Sequence, residues 1–218
     1  DAAVFAGANV AALQRADGAW EVIQFASAEL VDDRTYLLSR LLRGQGGSEW
    51  AMGAPLLAGA PFVLLDQHLV PVASGLDSLD RALQMRIVAT GRDHADPAAL
   101  ALTATPQATA LKPLSPVHLK AEREDGGIMF SWIRRTRIDG DSWAAEVPLG
   151  EDAEQYAVDI LSGVNIVRTI AVTSPSALYP KADEIADFGE PQTHITVRVT
   201  QLSATVGRGF AAQQSLQT

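Results

Sequence analysis

The sequence predicts an all-β protein in two parts, a β-rich module followed by a β-sandwich. Three observations predict it. Apolar and polar residues alternate with a period of two, as at Leu83, Met85 and Ile87 and again at Ile195, Val197 and Val199. Turn signals separate such runs, at Asp17-Gly18, Asp125-Gly126-Gly127 and Gly207-Arg208-Gly209. Finally, Thr105–Pro116 carries Pro106, Pro113 and Pro116 among small residues, a composition shift that divides the chain into residues 1–108, a linker at 109–116 and residues 117–218.

In order, Val10–Arg15 and Trp20–Leu30 are expected to pair as antiparallel strands across Asp17-Gly18, in a tight type I′ turn whose two central residues both need φ > 0. In TYLLSRLLRG the residues alone favour a short helix, because Leu37, Leu38, Leu41 and Leu42 recur at helical spacing and Gly44 stands where a C-cap glycine would. Ala51–Ala60, rich in glycine, is expected to be a loop. Pro61–Asp66 and Leu69–Ala73 are expected to form a second hairpin around Gln67-His68. Leu83, Met85, Ile87 and Ala89 predict a strand with one better buried face, and Ala99–Thr105 supplies another strand.

Beyond the linker, Val117, Leu119 and Ala121 alternate with polar residues, as do Ile128, Phe130 and Trp132 after the Asp125-Gly126-Gly127 turn. Tyr156, Val158 and Ile160 follow, then Ile166–Val172, then Ile195, Val197 and Val199. Gly207-Arg208-Gly209 is expected to separate these from a last segment, Phe210–Leu216. Lys181–Phe188, in the long connection Ala177–Thr193, has room for a helical turn. Short alternating strands between turn signals are the pattern of a β-sandwich.

Two resemblances add to this reading. WEVIQFASAEL, TYLLSRLLRGQGGSEWAM and GAPFVLLD resemble a block in tail-tip proteins of long-tailed phages and gene transfer agents. PLSPVHLKAEREDGGIMFSWIRRTR, EQYAVDIL and ITVRVTQLSATVGRGF are similar to a fibronectin type III domain, with Trp132, Tyr156 and Val197–Gly209 at its marker positions and Ile195 departing from its corner tyrosine. Together the halves resemble the C-terminal region of the large baseplate, or host-specificity, protein of gene transfer agents, with RLLRGQGG and SWIRRTRIDGDSW as the most specific pieces. The resemblance implies a β-rich tail-protein module, a strand rather than a helix at Tyr36–Leu42, and a structural role in assembly and host attachment or delivery. Implied partners are other baseplate and tail subunits and a tail fibre, with three copies about the tail axis and a host-surface glycan as a candidate ligand. The implied location is the particle's tail tip, reached after synthesis in the bacterial cytoplasm and release.

Composition is compatible with this. The 218 residues are 47% hydrophobic and 20% charged, enough apolar material for one or two cores. With no cysteine, disulfide and thiolate metal sites are excluded. The formal charge of -9 is spread: twelve acids and eight bases over residues 1–112 give -4, and fourteen and nine over 113–218 give -5. Neither half offers the basic surface that phosphate binding requires, so nucleic acid is not an expected partner. No apolar run approaches the ~20 residues of a membrane span, so stable membrane insertion is not expected either. The chain opens on Asp1 rather than Met, and Asp1–Ala12 lacks the basic start of a signal peptide, which suggests a fragment of something longer.

No constellation predicts catalysis, a cofactor or a metal. Gly140-Asp141-Ser142-Trp143 has the look of an esterase block, but only His194 follows and no aspartate lies at a useful offset. Gly44-Gln45-Gly46-Gly47 lacks the lysine of a phosphate loop and is better explained as a turn needing positive φ. The histidines at 68, 94, 118 and 194 give no ligand spacing. Asp139, Asp141, Glu146, Glu151, Asp152 and Glu154 make an acidic loop out of register for a calcium-binding hand. Candidate partner contacts are Arg134, Arg135, Arg137 and Trp143: the guanidiniums suit a partner's carboxylates or the loop's own acids, and the indole suits sugar or protein. The rival function is a carbohydrate-binding or spacer module of a secreted bacterial enzyme.

Overall fold

Among the described residues, 2–53, 56–140 and 147–218 of the computed structural model, thirteen strands stand against two short α-helices. The chain is all-β. It divides into two compact units, residues 1–110 and 111–218.

In the first unit a one-turn helix α1 (Ala2–Phe5) precedes β1 (Val10–Gln14), β2 (Trp20–Asp32) and β3 (Thr35–Gln45). With β4 (Phe62–Leu64) they form an antiparallel sheet in the order β3-β2-β1-β4. The Gln24 amide donates to Val4 O (2.8 Å) and Ala8 O (2.9 Å), fixing α1 to the sheet. The expected pairing of β1 with β2 is present, from Val10 opposite Gln24 to Gln14 opposite Trp20. The turn between them is not type I′, because only Gly18 has positive φ (84°). Gly18 N donates to Arg15 O (3.0 Å), Arg15 N donates to Ala19 O (2.8 Å), and the Asp17 carboxylate accepts from Ala19 N (3.1 Å). That is a type I turn closed by a left-handed glycine, which a three-residue loop permits.

Tyr36–Leu42 lies in β3, so the helical spacing of its leucines is overridden by pairing with β2. The expected second hairpin does not form. Phe62–Leu64 pairs with β1 instead, and Pro71 denies the Leu69–Ala73 run a ladder donor. A two-stranded ribbon, β5 (Leu83–Ile87) with β6 (Leu100–Ala104), completes the unit. Both strands were expected, yet no residue of either is fully buried.

The second unit is a seven-stranded sandwich. One sheet has the order β11-β8-β7, from β7 (Val117–Glu124), β8 (Gly127–Ile133) and β11 (Ser176–Pro180). The other has the order β10-β9-β12-β13, from β9 (Tyr156–Ser162), β10 (Asn165–Val172), β12 (His194–Ser203) and β13 (Gly207–Gln217). Alternate residues of both sheets meet in one core that includes Phe130, Trp132, Val158, Tyr179 and Val197. Trp132 and Tyr156, the expected markers, pack edge to face with centroids 5.1 Å apart. Lys181–Phe188 forms α2, two turns ended by Gly189 at φ 82°, whose N–H donates to Ile185 O (2.8 Å). Gly207-Arg208-Gly209 is not a separator: the turn is at 204–206, and these residues open β13. Gly209 is small because the chain passes close by; a Cβ there would lie 2.6 Å from Pro113 O, which accepts a hydrogen bond from Phe210 N (2.9 Å).

Candidate functional site

The feature that most needs a functional explanation is the ribbon of β2 and β3. Its base is rigid. Glu21, fully buried, accepts from Arg43 Nε (2.8 Å) and Nη2 (2.5 Å) and from Gly44 N (3.3 Å). The Arg43 fork holds the Glu21 carboxyl below its ordinary range, against the opposing effect of burial. The Ser48 hydroxyl accepts from Val22 N (2.8 Å) and donates to Gln45 O (2.7 Å), tying the glycine-rich exit to the same base. Gly44, at φ 62°, has Met52 Sδ where a Cβ would sit, so a side chain is excluded there. Gly46 and Gly47, at φ 60° and 79°, make the turn.

Beyond this base the ribbon loses its neighbours. β1 pairs with β2 only as far as Gln24, while the pairing of β2 with β3 runs on to Asp32 and Thr35. The outer half is therefore two-stranded, and it carries Leu30 (61% exposed), Val31 (54%), Tyr36 (60%) and Leu37 (56%). Two-stranded ribbons are marginal in water, and exposed apolar side chains in this density mark interaction surfaces. Arg40 sits at φ 57° and interrupts the pleat. Running from the root of the ribbon into its outer half, an open apolar groove of about 470 Å³ is lined by Phe25, Ala28, Tyr36, Leu38, Phe62 and Leu64. Charged residues of this outer half lie at the tip and its approach, at Glu29, Asp32, Asp33 and Arg34, and at Arg40 within β3. The arrangement suits apolar contact with protein.

The three arginines singled out from the sequence are held within their own unit. Arg134 donates to Val147 O (2.7 Å) and Pro148 O (3.0 Å) and lies 3.8 Å from Glu154. Arg135 donates to Ser115 O (2.8 Å) and Oγ (2.9 Å). Arg137 pairs with Glu151 (3.2 Å) and donates to Gly150 O (3.3 Å). They thus tie the 147–154 segment and the approach to β7 onto the sandwich. Trp143, with Asp141, Ser142 and Glu146, lies outside the described residues. Among the described residues no three His, Asp or Glu side chains cluster as metal ligands.

Two charged clusters escaped the sequence reading. Asp159, in β9, is fully buried under Arg198 (2.9 and 3.1 Å) and Arg208 (2.7 and 3.2 Å), and accepts from the Thr169 hydroxyl (2.7 Å). Burial opposes its charge, but Arg208, Thr169 and Arg198 together bring its pKa down to about 2. One acid inside the apolar run YAVDIL was the available signal. Glu184 in α2 is likewise buried, gripped by Arg123 of β7 and capping Gln192 N at 2.7 Å.

Comparison with known proteins bears on the ribbon. Residues 1–63 match the family model described as Rcc01698-like, C-terminal. Rcc01698 is a gene transfer agent-related protein of Rhodobacter. The matched segment contains β1, β2 and β3 and most of β4. No curated protein matches the chain. Among solved structures, the extracellular region of rat CD45, domains d3-d4, is similar at 12% identity over 88% of this chain and 94% of that one, with a TM-score of 0.35.

Proposed function

We propose that this chain is a structural component of a phage-like tail tip or baseplate of the gene transfer agent type, contributing to assembly and to host attachment or delivery. In this reading it acts through surfaces and has no reactive centre. The observation that carries the reading is the uncovered outer half of the β2–β3 ribbon, where Leu30, Tyr36 and Leu37 leave exposed apolar area that a partner subunit would bury. The family match supports it from a separate direction, because the matched residues are those that build the ribbon. Three copies around the tail axis would give each ribbon an identical neighbour, the arrangement that closed symmetric assemblies use. Other baseplate subunits and a fibre are the remaining proposed partners, and the released particle is the proposed location.

The test is direct labelling. Gold-conjugated antibody against this chain, applied to particles released by the producing bacterium, is expected to decorate one end of the tail. Particles that carry tails and no label, with the chain present only in free form, would contradict the proposal.

A further inference from the structure

Trp20 and Trp50 are 30 residues apart in sequence yet line one groove. Trp20 opens β2, and Trp50 lies in a 3₁₀ turn, Glu49–Ala51, that follows the glycine-rich exit of β3. The groove has a volume of about 490 Å³, and the two indoles remain 38% and 42% exposed within it. Gly46 and Gly47 line it too, and among the described residues a Cβ on either would have nothing within 4 Å beyond its chain neighbours. Thr105, Gln107 and Thr109 also line it.

We propose that this groove binds a neutral saccharide. This inference is independent of the assembly reading, since the groove and the outer half of the ribbon use different residues. A pyranose has an apolar face of C–H groups and a rim of hydroxyls. Broad aromatic faces beside short polar side chains provide for both. Among the described residues the side chains of Thr105, Gln107 and Thr109 make no hydrogen bond, which leaves two hydroxyls and one carboxamide for sugar hydroxyls. Ser48, also at the groove, is occupied by Val22 and Gln45 and serves the fold instead. The bare glycines let a flat ring approach the backbone. Among the described residues no lysine, arginine, aspartate or glutamate lines the groove. An acidic sugar or a phosphate would find no counter-charge there, and the chain's net charge of -9 would repel it. The volume lies within the range of small-ligand sites and admits one or two sugar rings. A proline-rich peptide also docks on aromatic grooves, but it would leave the three polar side chains largely unused.

The experiment is a titration of the full chain with a panel of neutral mono- and oligosaccharides, including hexoses and N-acetylhexosamines, followed by calorimetry and tryptophan fluorescence. An acidic oligosaccharide and a proline-rich peptide run in parallel. At least one neutral sugar is expected to bind and to blue-shift the emission. Trp20→Ala or Trp50→Ala should weaken it at least about tenfold, and Gln107→Ala several-fold, as for central and flanking contacts of a binding site. Trp50→Phe, which keeps an aromatic face, should retain most of the affinity. Far-UV circular dichroism checks that each variant is folded, and Gln107→Ala, on an exposed segment, tests the site even where a tryptophan variant does not fold. Absence of binding by every neutral sugar, binding unchanged in both Gln107→Ala and the folded tryptophan variants, or binding only of the peptide or the acidic sugar would overturn the proposal.

Discussion

Arg123 of β7 grips the buried carboxylate of Glu184 in α2 through two hydrogen bonds of 3.0 and 2.9 Å, and from the same guanidinium donates to Gln192 O (2.6 Å) and the Thr218 hydroxyl (3.1 Å). One side chain thus joins the first strand of the sandwich, the helix that crosses its side and the end of its last strand. Removing it by Arg123→Ala leaves Glu184 buried and unpaired. We expect a loss of about 2 to 3 kcal/mol, below the largest values for buried pairs because Arg123 is partly exposed and water can reach the vacancy. Glu184→Gln keeps the contacts to Gln192 and should cost less. Urea unfolding of both variants, and of the double mutant, measures the coupling.

Acid should act on the other cluster. Asp159 has its pKa lowered from an ordinary 3.8 to about 2, so the folded state favours the charged form. A depressed carboxylate contributes stability that is complete above its unfolded pKa and disappears as pH falls through the folded one. Asp159 therefore contributes about 2 kcal/mol at neutral pH, lost between pH about 4 and about 2. Asp159→Asn should flatten the stability profile in that window. It should also weaken the sandwich at neutral pH, where Arg198 and Arg208 would face each other without their shared carboxylate. Denaturant midpoints measured from pH 2 to 7 check both statements.

The turn between β7 and β8 offers a paired test. Gly127, at φ 150°, lies against β11: a Cβ there would fall on the Tyr179 carbonyl oxygen and within 2.9 Å of Lys181 N and Pro180 Cα. Gly126 beside it has nothing within 4 Å. Gly127→Ala should cost about 3 kcal/mol through strain and displaced strand pairing, and Gly126→Ala should be within about 0.5 kcal/mol of the parent. Thermal midpoints separate the two.

Much of the sandwich was legible because its period-two pattern is imposed by a two-sided core: Trp132 and Val197 are buried and alternate with less buried residues, while Tyr156 opens β9, a strand buried along nearly its whole length. Local signals were less reliable where a distant strand decided the outcome. Asp17-Gly18 announced a hairpin, yet loop length selected a turn in which only the glycine is left-handed. Leu69–Ala73 looked like a strand, but Phe62–Leu64 was already paired with β1 and Pro71 cannot donate. The ribbon surface was hidden for another reason: whether Leu30 and Tyr36 are covered depends on how many strands flank them, and periodicity within one strand does not report that. A usable signal existed in the unequal lengths of the first two strands. The Trp20 and Trp50 groove was beyond reach, since the third segment that walls it lies more than fifty residues downstream.

Sedimentation of the isolated chain over a wide concentration range shows whether the outer β2–β3 ribbon is a protein-contact surface. Assembly towards three times the 23.1 kDa chain mass is expected, with Tyr36→Asp returning a folded chain to the monomer. A parent chain that stays monomeric at every concentration, or a Tyr36→Asp variant that assembles as the parent does, would contradict it.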